Sequence, residues 1–465
     1  MAAFSEDKYD PISLNSILFK DCANVDDKES LGFKFWDMCY LILRMFYVVV
    51  KEAVRIFMCF PIKLWFRGCR YFSSEFNNKL VFVVPAYNDF RSLQRVIEIV
   101  STSKDNVLVL DKREYYKAFP RLLILLKSVQ SSMRLLKSIS KLPAEKKNII
   151  ISNLHTLFLS PGFTYYVRKI INNTIPQLVV FANDNSYDRR ILIYACEEKN
   201  IKTLYVQHAS VSYAFPELHT TYSFLDGLDA LNKYIAGGKE IHGKVFLLGA
   251  IRYDELRRYR TLRKQYKRYC IGVAVNSLDD VNMVEKLCAK LLEYNSDLTI
   301  KLRFHPAMKK RMFNHEGKER ISYTYASEEK ILDYLDSIDL QIAGDTGIHL
   351  DTILGGVPSF AYNFNSSLKF YGDSYDYVKN GLIEIVDSFE KVENLITIQR
   401  INRPDSSLIR LYDESYGKTY MGHCSEIVAN FIKNGCNFNL FEKENNLVQI
   451  SYKDSCYYII NDDNI

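Results

Sequence analysis

The sequence predicts an α/β protein made of two doubly wound domains that face each other across a cleft. Apolar, strand-like runs alternate with segments of helical spacing over residues 80–249, and the alternation begins again over residues 270–362. The length of 465 residues is too great for one ordinary core. We therefore divide the chain into residues 1–75, a first domain at 76–249, a second domain at 250–434 and a tail at 435–465.

The clearest strand–helix–strand unit begins at residues 177–184 (QLVVFAND), an apolar strand that ends in polar residues. Residues 189–200 carry apolar side chains at helical spacing, and residues 202–206 form a second buried strand that ends at Gln207-His208. Ligands of parallel sheets bind beyond the carboxyl ends of the strands. We therefore expect Asp184 and Gln207-His208 to face one crevice.

The other elements follow from the same patterns. Strands of the first domain are predicted at 80–84, 106–110, 148–151, 233–238 and 244–249, with a helix at 89–100. Strands of the second domain are predicted at 270–275, 298–304, 339–343 and 357–362, with helices at 281–293, 328–336, 348–354 and 417–434.

Two stretches combine basic and apolar residues. Residues 33–72 hold seven Lys or Arg against Asp37 and Glu52, and their uncharged apolar runs, such as 45–50, are far short of the ~20 residues that span a bilayer. This pattern is typical of a helix lying on an anionic membrane surface. The alternative is a pair of amphipathic helices packed on the protein's own core. Residues 112–147 hold ten Lys or Arg and allow either an ordinary solvated face or a second such surface.

Composition narrows the class of protein. The chain is 48% hydrophobic and 25% charged with a formal charge of +6, a normal balance for a globular protein. None of its ten cysteines forms a CxxC pair or a finger-like set with histidines, so we predict no metal site. Scattered thiols and a polar N-terminus without the order of a signal peptide predict a cytoplasmic protein.

Two motifs of the second domain have residues that can bind phosphate. Gly344-Asp345-Thr346-Gly347 lies between a strand and a helix start, where backbone N–H groups and a hydroxyl can meet phosphate oxygens. A simple capping turn is the alternative. Arg303 and His305 bracket the end of a neighbouring strand and offer a guanidinium fork and an imidazole. Together they predict a site that stabilises a departing diphosphate.

The order of these motifs resembles a known group of enzymes. Gln207-His208, LLGAIRYDEL, RFHP and AGDTGIHLDTILGGVPSFAY stand in sequence over residues 177–363. They are similar to motifs of the GT-B glycosyltransferases and CDP-glycerol glycerophosphotransferases that build bacterial capsules, lipopolysaccharides and teichoic acids. Ala209 stands where that group has glycine and Ile251 where it has proline. The resemblance implies a GT-B-like fold of two Rossmann-like domains. The basic and apolar pattern at 33–72 predicts an amphipathic, membrane-associating segment before them.

The resemblance also implies roles for individual residues. His208 would act as the base or lie near the transferred group. The donor would be held by residues of both motifs and of the Gln-His pair, namely Gln207, Arg303, His305, Asp345, Thr346 and Gly347. The segments around Glu217 and Asp226 resemble bacterial sialyl- and Kdo-transferase-like enzymes, which use an acidic base. Asp226, Glu217 and His208 therefore remain alternative candidates for the base.

We interpret the chain as a transferase that moves a sugar from a nucleotide-activated donor to a growing cell-surface polysaccharide or lipid-linked acceptor. It would need no tightly bound cofactor, would not bind nucleic acid, and would sit on the inner face of the cell membrane. The alternatives are a CDP-glycerol or CDP-ribitol phosphotransferase and a sialyl- or Kdo-type transferase. A nucleotide-sugar epimerase and an inactive binding module are more remote.

Overall fold

The computed structural model describes residues 35–59, 75–140, 147–256, 270–277, 279–305, 308, 313, 318–364, 373–397, 404–453 and 455–462. These residues form two β-sheets, each flanked by helices on both faces. The predicted α/β organisation in two domains is thereby confirmed.

The first domain begins with a long helix and then alternates strands and helices. Its parallel strands are fully or largely buried, as expected where helices cover both faces of a sheet. The strands are β1 (Leu80–Val83), β2 (Val107–Leu110), β3 (Leu178–Phe181), β4 (Thr203–Val206), β5 (Tyr222–Leu225) and β6 (Lys244–Leu247). The helices are α1 (Phe35–Cys59), α2 (Tyr87–Ser101), α3 (Lys112–Ala118), α4 (Arg121–Ile139), α5 (Lys147–Ser152), α6 (Leu154–Ile171), α7 (Tyr187–Glu198) and α8 (Leu228–Ile235).

The second domain carries a parallel sheet in the order β12–β11–β10–β7–β8–β9. Its strands are β7 (Cys270–Val275), β8 (Thr299–Phe304), β9 (Ile321–Tyr325), β10 (Leu340–Ala343), β11 (Ser359–Tyr362) and β12 (Glu384–Val386). Its helices are α9 (Val281–Tyr294), α10 (Ile331–Asp336), α11 (Ile348–Leu354), α12 (Phe389–Thr397) and α13 (Ser406–Tyr412).

The chain then returns to the first domain. Helix α14 (Cys424–Lys433) packs on α2 and on the core beneath the first sheet, and α15 (Phe438–Glu444) follows it. The hairpin β13 (Leu447–Tyr452) and β14 (Ser455–Ile460) joins that sheet beside β6, giving the order β13–β14–β6–β5–β4–β3–β1–β2. The assignment of a separate tail from position 435 is therefore wrong, because α15, β13 and β14 belong to the first domain. Helix α14, assigned to the second domain, also packs on the first.

Three predicted elements differ from the structure. Residues 148–151 were predicted as a strand but belong to α5, and residues 233–238 complete α8 and a 3₁₀ turn. Short apolar runs of this kind fit a buried helix as well as a strand. Residues 417–423 form turns, so the helix predicted at 417–434 begins at Cys424. Asp254 caps it by accepting hydrogen bonds from the backbone N–H groups of Cys424 and Ser425.

Helix α1 is apolar on both of its faces. One face packs against α4 and α6 through the buried side chains of Leu41, Met45, Val48 and Ile56. Its other face exposes a row of large apolar side chains: Leu43, Phe46, Tyr47, Val50, Val54, Phe57 and Met58. A surface helix of a globular protein usually has one polar face. The rest of residues 33–72 lies outside the described residues.

Candidate functional site

A cavity of about 330 Å³ opens between the carboxyl ends of the two sheets. It lies where the strand order of each sheet reverses, between β1 and β3 in the first and between β7 and β10 in the second. Chain segments leave a sheet in opposite directions at such points and so form a crevice. The cavity is lined by Asn88, Arg91, Ser92, His208, Ala209, Ser210, Arg252, Tyr253, Ala274, Val275, Asn276, Arg303, Phe304, His305, Ala326, Ile331, Thr346, Gly347, Ile348, Asp351 and Tyr375.

The charge of the cavity wall is mainly positive. Arg91 and Arg252 come from the first domain and Arg303 from the second, whereas Asp351 is the single carboxylate among the lining residues. Burial raises the pKa of Asp351, against the lowering effects of a hydrogen bond from Tyr253 and of the nearby arginines. Guanidinium groups bind phosphate and carboxylate oxygens through paired N–H donors. The wall is therefore suited to an anionic ligand that also presents hydroxyl groups to Asp351.

His208 follows β4 and lines the cavity from the first domain. Burial lowers the pKa of its imidazole; the carboxylate of Asp89 opposes this effect, and the guanidinium of Arg252 adds to it. The ring is consequently neutral at pH 7. A neutral imidazole can accept a proton, which is the state that a general base requires.

Asp226 and Gln207 lie behind the cavity wall, where they hold Arg252. The Gln207 side chain donates to Asp226 Oδ2 at 2.8 Å and accepts from the Asp226 backbone N–H at 3.0 Å. The guanidinium of Arg252 lies 2.6 Å from Asp226 Oδ2. Asp226 is only 3% exposed, and neither it nor Gln207 lines the cavity. In this geometry both residues position Arg252 and the loop of His208.

Asp184 does not face the crevice, in contrast to the sequence-based expectation. It is buried at the end of β3, and the hydroxyl of Tyr234 lies 3.0 and 3.1 Å from its two carboxylate oxygens. Burial raises the pKa of Asp184 to about 6. Tyr234 belongs to helix α8, and Asp184 is not among the residues that line the cavity.

Glu217 lies on the other edge of the first sheet from His208. It precedes β5, so it belongs to the amino ends of parallel strands, whereas His208 follows the carboxyl end of β4. Its carboxylate lies 3.3 Å from Nε2 of His219, which also precedes β5. The interpretation of Glu217 as the base is corrected on this ground, because the carboxylate does not reach the cavity.

Arg303 and His305 are brought to the cavity by the end of β8, as expected. The guanidinium of Arg303 lies 3.2 Å from Glu329 Oε2 and 4.8 Å from the centre of the Tyr334 ring, and it is almost fully buried. Burial lowers the pKa of Arg303 from its ordinary value, but the group stays charged. His305 is exposed at the rim. Pro306, which follows it, lies outside the described residues.

The Gly344–Gly347 turn divides between two cavities. Asp345 points away from the main cavity and accepts hydrogen bonds from the backbone and the hydroxyl of Ser374. Thr346 and Gly347 line the main cavity. Gly347 has φ −63°, a conformation open to any residue. A Cβ at Gly347 would meet Ser210 Oγ at 3.8 Å and no closer atom, so the glycine leaves open space toward the ligand.

Sequence reasoning missed Arg91, Arg252 and Asp351 as members of the site. Arg252 lies within the LLGAIRYDEL segment, and Asp351 lies four residues after Gly347, so both stood inside motifs that had been recognised. Arg91 lies one turn into the helix that follows β1. Its position after the first strand of a doubly wound domain was the available signal.

Comparison with known proteins places the fold. No family model and no curated protein matches the sequence. Among solved structures, the S. aureus MnaA–UDP co-structure superposes with a TM-score of 0.50 at 13% identity and covers 77% of this chain and 97% of its own. UDP-GlcNAc 2-epimerase from Methanocaldococcus jannaschii, in complex with UDP-GlcNAc and UDP, gives 0.49 at 14% identity, with 77% and 99% covered.

A third structure, the glycotransferase of kitacinnamycin, gives a TM-score of 0.46 at 11% identity and covers 77% of this chain and 99% of its own. Identities this low establish an architecture and nothing finer. The architecture is the GT-B-like fold of two Rossmann-like domains facing a cleft, and the predicted fold class is confirmed.

Proposed function

We propose that the protein is a glycosyltransferase that transfers a sugar from a nucleotide-activated donor to a cell-surface polysaccharide or lipid-linked acceptor. One observation carries the proposal: a cavity between the carboxyl ends of two doubly wound sheets is lined by arginines from both domains and by a histidine whose pKa is lowered by burial. An anion site and a proton acceptor facing one space are the two requirements of group transfer from a phosphorylated donor.

The diphosphate of the donor would lie against the second domain. Arg303 and His305 from the end of β8 and residues 346–348 line that part of the cavity. Arg252 approaches from the first domain with its charge held in place by Asp226. Fixed donors of this kind stabilise the negative charge that develops on the leaving phosphate as the bond to the sugar breaks.

His208 would act on the acceptor. It faces the phosphate side from the first domain, and its neutral imidazole accepts the proton of the acceptor hydroxyl while the oxygen attacks the sugar carbon. Asp351 lies among the arginines and accepts hydrogen bonds from hydroxyl groups of the ligand. The proton ends on His208 and the electron pair of the broken bond ends on the nucleotide phosphate.

Substitution of Gly347 tests whether the ligand approaches the 344–347 turn. Gly347→Ala is expected to weaken donor binding about tenfold or more, because an extra methyl group in a packed contact costs roughly 1–3 kcal/mol. The melting temperature should not fall, since φ at Gly347 suits alanine and no atom lies within 3.4 Å of the added carbon. Titration calorimetry and thermal unfolding measure the two effects. Unchanged affinity would show that the ligand does not reach this turn.

The membrane association predicted from the sequence has a structural basis in the exposed face of α1. Leu43, Phe46 and Met58 are 67–82% exposed on this face. Basic side chains are exposed on the same helix and on the adjacent α4: Arg44, Lys51, Arg55, Arg134 and Lys137. An apolar face among cations fits the headgroup region of an anionic bilayer. None of the described helices has the length and apolarity needed to cross a membrane.

Deletion of α1 is a poor test of this surface, because Leu41, Met45, Val48 and Ile56 are part of the core. Phe46→Glu combined with Met58→Glu changes the exposed face alone. We expect this variant to bind phosphatidylglycerol-containing vesicles at least tenfold more weakly in sedimentation, since each large apolar side chain contributes roughly 1.5–3 kcal/mol when buried. Ile175→Glu, at a residue that is 73% exposed elsewhere in the domain, is the matched control and should bind normally. If the double variant binds the vesicles as tightly as the native protein does, the exposed face of α1 is not the membrane-binding surface.

The donor is identified by a thermal-shift screen of CMP-, CDP-, UDP- and GDP-linked compounds, since a ligand that binds the folded state alone raises its stability. The UDP-linked compounds are of particular interest in this screen, because the MnaA structure of the same fold was solved with UDP. Stabilisation by CDP-glycerol or CDP-ribitol would favour polyol phosphate transfer. Stabilisation by CMP-sialic acid or CMP-Kdo would favour the sialyl- or Kdo-type reaction. Conversion of a donor sugar without acceptor would identify an epimerase. Binding without any turnover would identify an inactive binding module.

A further inference from the structure

Outside the cavity, a compact group of titratable side chains lies at the amino ends of β5 and β6. It consists of Glu197, Glu217, His219 and His242. Ligand atoms of Glu197, His219 and His242 all lie within 4.8 Å of one another. The proposed transferase chemistry uses none of them, because it takes place at the other edge of the sheet.

The fold fixes the positions of these side chains. Glu197 is at the end of α7, which runs antiparallel to the strands, and the two histidines precede β5 and β6. A parallel bridge between Leu218 and Ile241 and a hydrogen bond from the His242 N–H to the Leu218 carbonyl keep the two loops side by side. The imidazoles of His219 and His242 therefore stack, with ring centres 3.9 Å apart.

His219 is the buried centre of the group. Its side chain is 10% exposed, with Nδ1 at 3.4 Å from Glu197 Oε2 and Nε2 at 3.3 Å from Glu217 Oε2. Nδ1 is buried and has no hydrogen bond of good geometry among the described residues. Glu197 is 46% exposed, so one side of the group is open to solvent.

We propose that this group binds one divalent transition-metal ion of the zinc class. His219, His242 and Glu197 would supply two nitrogen ligands and one oxygen ligand, and water from the open side would supply the fourth. Such a mixed set suits Zn²⁺ at bond lengths of about 2.0–2.2 Å and not Mg²⁺, which prefers oxygen. The ligand atoms must approach each other by about 1 Å for such bonds, and the two imidazoles must rotate out of their stacked arrangement so that their lone pairs converge on the ion.

Glu217 has a different role in this site. It faces the ring nitrogen of His219 that the ion would not occupy and accepts its N–H, which fixes the orientation of the imidazole. Once bound, the ion would tie the end of α7 to the loops before β5 and β6. Its binding should therefore stabilise the first domain, and this stabilisation should not involve the cavity.

Titration calorimetry of the untagged, chelator-treated full-length protein with ZnCl₂ tests the proposal. We expect one ion per chain and a melting temperature raised by a few degrees at a hundredfold excess over Kd, with no response to MgCl₂. His242→Ala and Glu197→Gln are chosen because each removes one proposed ligand and leaves His219, the buried centre of the group, unchanged, so both variants should fold. Both should abolish the response, and Glu217→Gln should weaken binding about 10–100-fold.

His423→Ala is the matched control, because His423 also lies near a carboxylate, 4.0 Å from Glu426, but outside the group. It should bind zinc normally. Absence of zinc binding would overturn the proposal, and so would zinc binding that survives both His242→Ala and Glu197→Gln, since the ion would then lie elsewhere, for example on the exposed Cys456.

Discussion

His208→Ala is expected to lower the rate of single-turnover transfer by about 10²–10⁴, the usual range for loss of general acid–base catalysis. The imidazole lines the cavity from the first domain, whereas Arg303 and His305, which we propose bind the donor phosphates, belong to the second. Donor affinity should therefore change much less than the rate. The measurement uses saturating concentrations of the donor found in the thermal-shift screen.

The pH profile gives an independent check on this role. A base is active only when deprotonated, so the rate should be full above the pKa of His208 and fall as the pH drops through it. Burial lowers that pKa, which places the acidic limb below the ordinary value of about 6.5. In His208→Ala the rate of transfer should be low, and the remaining rate should not show this fall at acidic pH.

Asp226→Asn is the control for the competing base. Its carboxylate is held by Gln207 and Arg252 and lies behind the wall, so we expect this change to act mainly through the position of Arg252. The assignment of His208 is contradicted if Asp226→Asn abolishes turnover at unchanged donor affinity while His208→Ala mainly weakens donor binding. The sialyl- or Kdo-type interpretation would then be favoured.

Much of the fold could be predicted because buried parallel strands leave a strong pattern. The unit β3–α7–β4 and the strands β7, β8, β10 and β11 were predicted to within a few residues, since their strands are rich in apolar residues and end at polar or glycine residues. The pattern alone could not decide whether the short apolar run at 148–151 forms a strand or a helix. The strands β13 and β14 join a sheet formed by residues some 200 positions earlier in the chain. A local sequence pattern does not indicate that β14 pairs with β6.

The site was predictable where it depends on strand ends and not where it depends on the course of loops. His208, Arg303 and His305 follow strands that were recognised, and all three line the cavity. Glu217 was misplaced because β5 had not been recognised, so its position before an amino end was not visible. The pairing of Asp226 with Arg252 joins two loops that only the folded sheet brings together.

The face of α1 illustrates another limit of sequence reasoning. Its basic and apolar composition allowed either a membrane surface or packing on the protein's own core. The structure shows that one face is packed and that the other exposes residues such as Phe46 and Met58. Periodicity alone could not decide between membrane binding and packing on the core, because large apolar side chains lie on both faces of the helix.

The second large effect is expected at Arg252. Arg252→Ala should lower the free energy of unfolding by about 3–5 kcal/mol, because removal of one partner of a buried ion pair is strongly destabilising. Asp226 is 3% exposed and lies 2.6 Å from the lost guanidinium. Donor affinity should fall as well, by about 1.5–3 kcal/mol for a charge-assisted hydrogen bond. Urea unfolding and titration calorimetry measure the two losses separately.

Two further variants separate stability from binding. Arg252→Met combined with Asp226→Asn removes both charges and should recover most of the stability but none of the donor affinity. Arg303→Ala is the matched control, because its partner Glu329 keeps hydrogen bonds from Lys301 and Thr324. This variant should therefore lose donor affinity with a smaller loss of stability. If instead the double variant binds donor as tightly as the native protein, Arg252 serves only to balance Asp226, and the phosphate site is confined to the second domain.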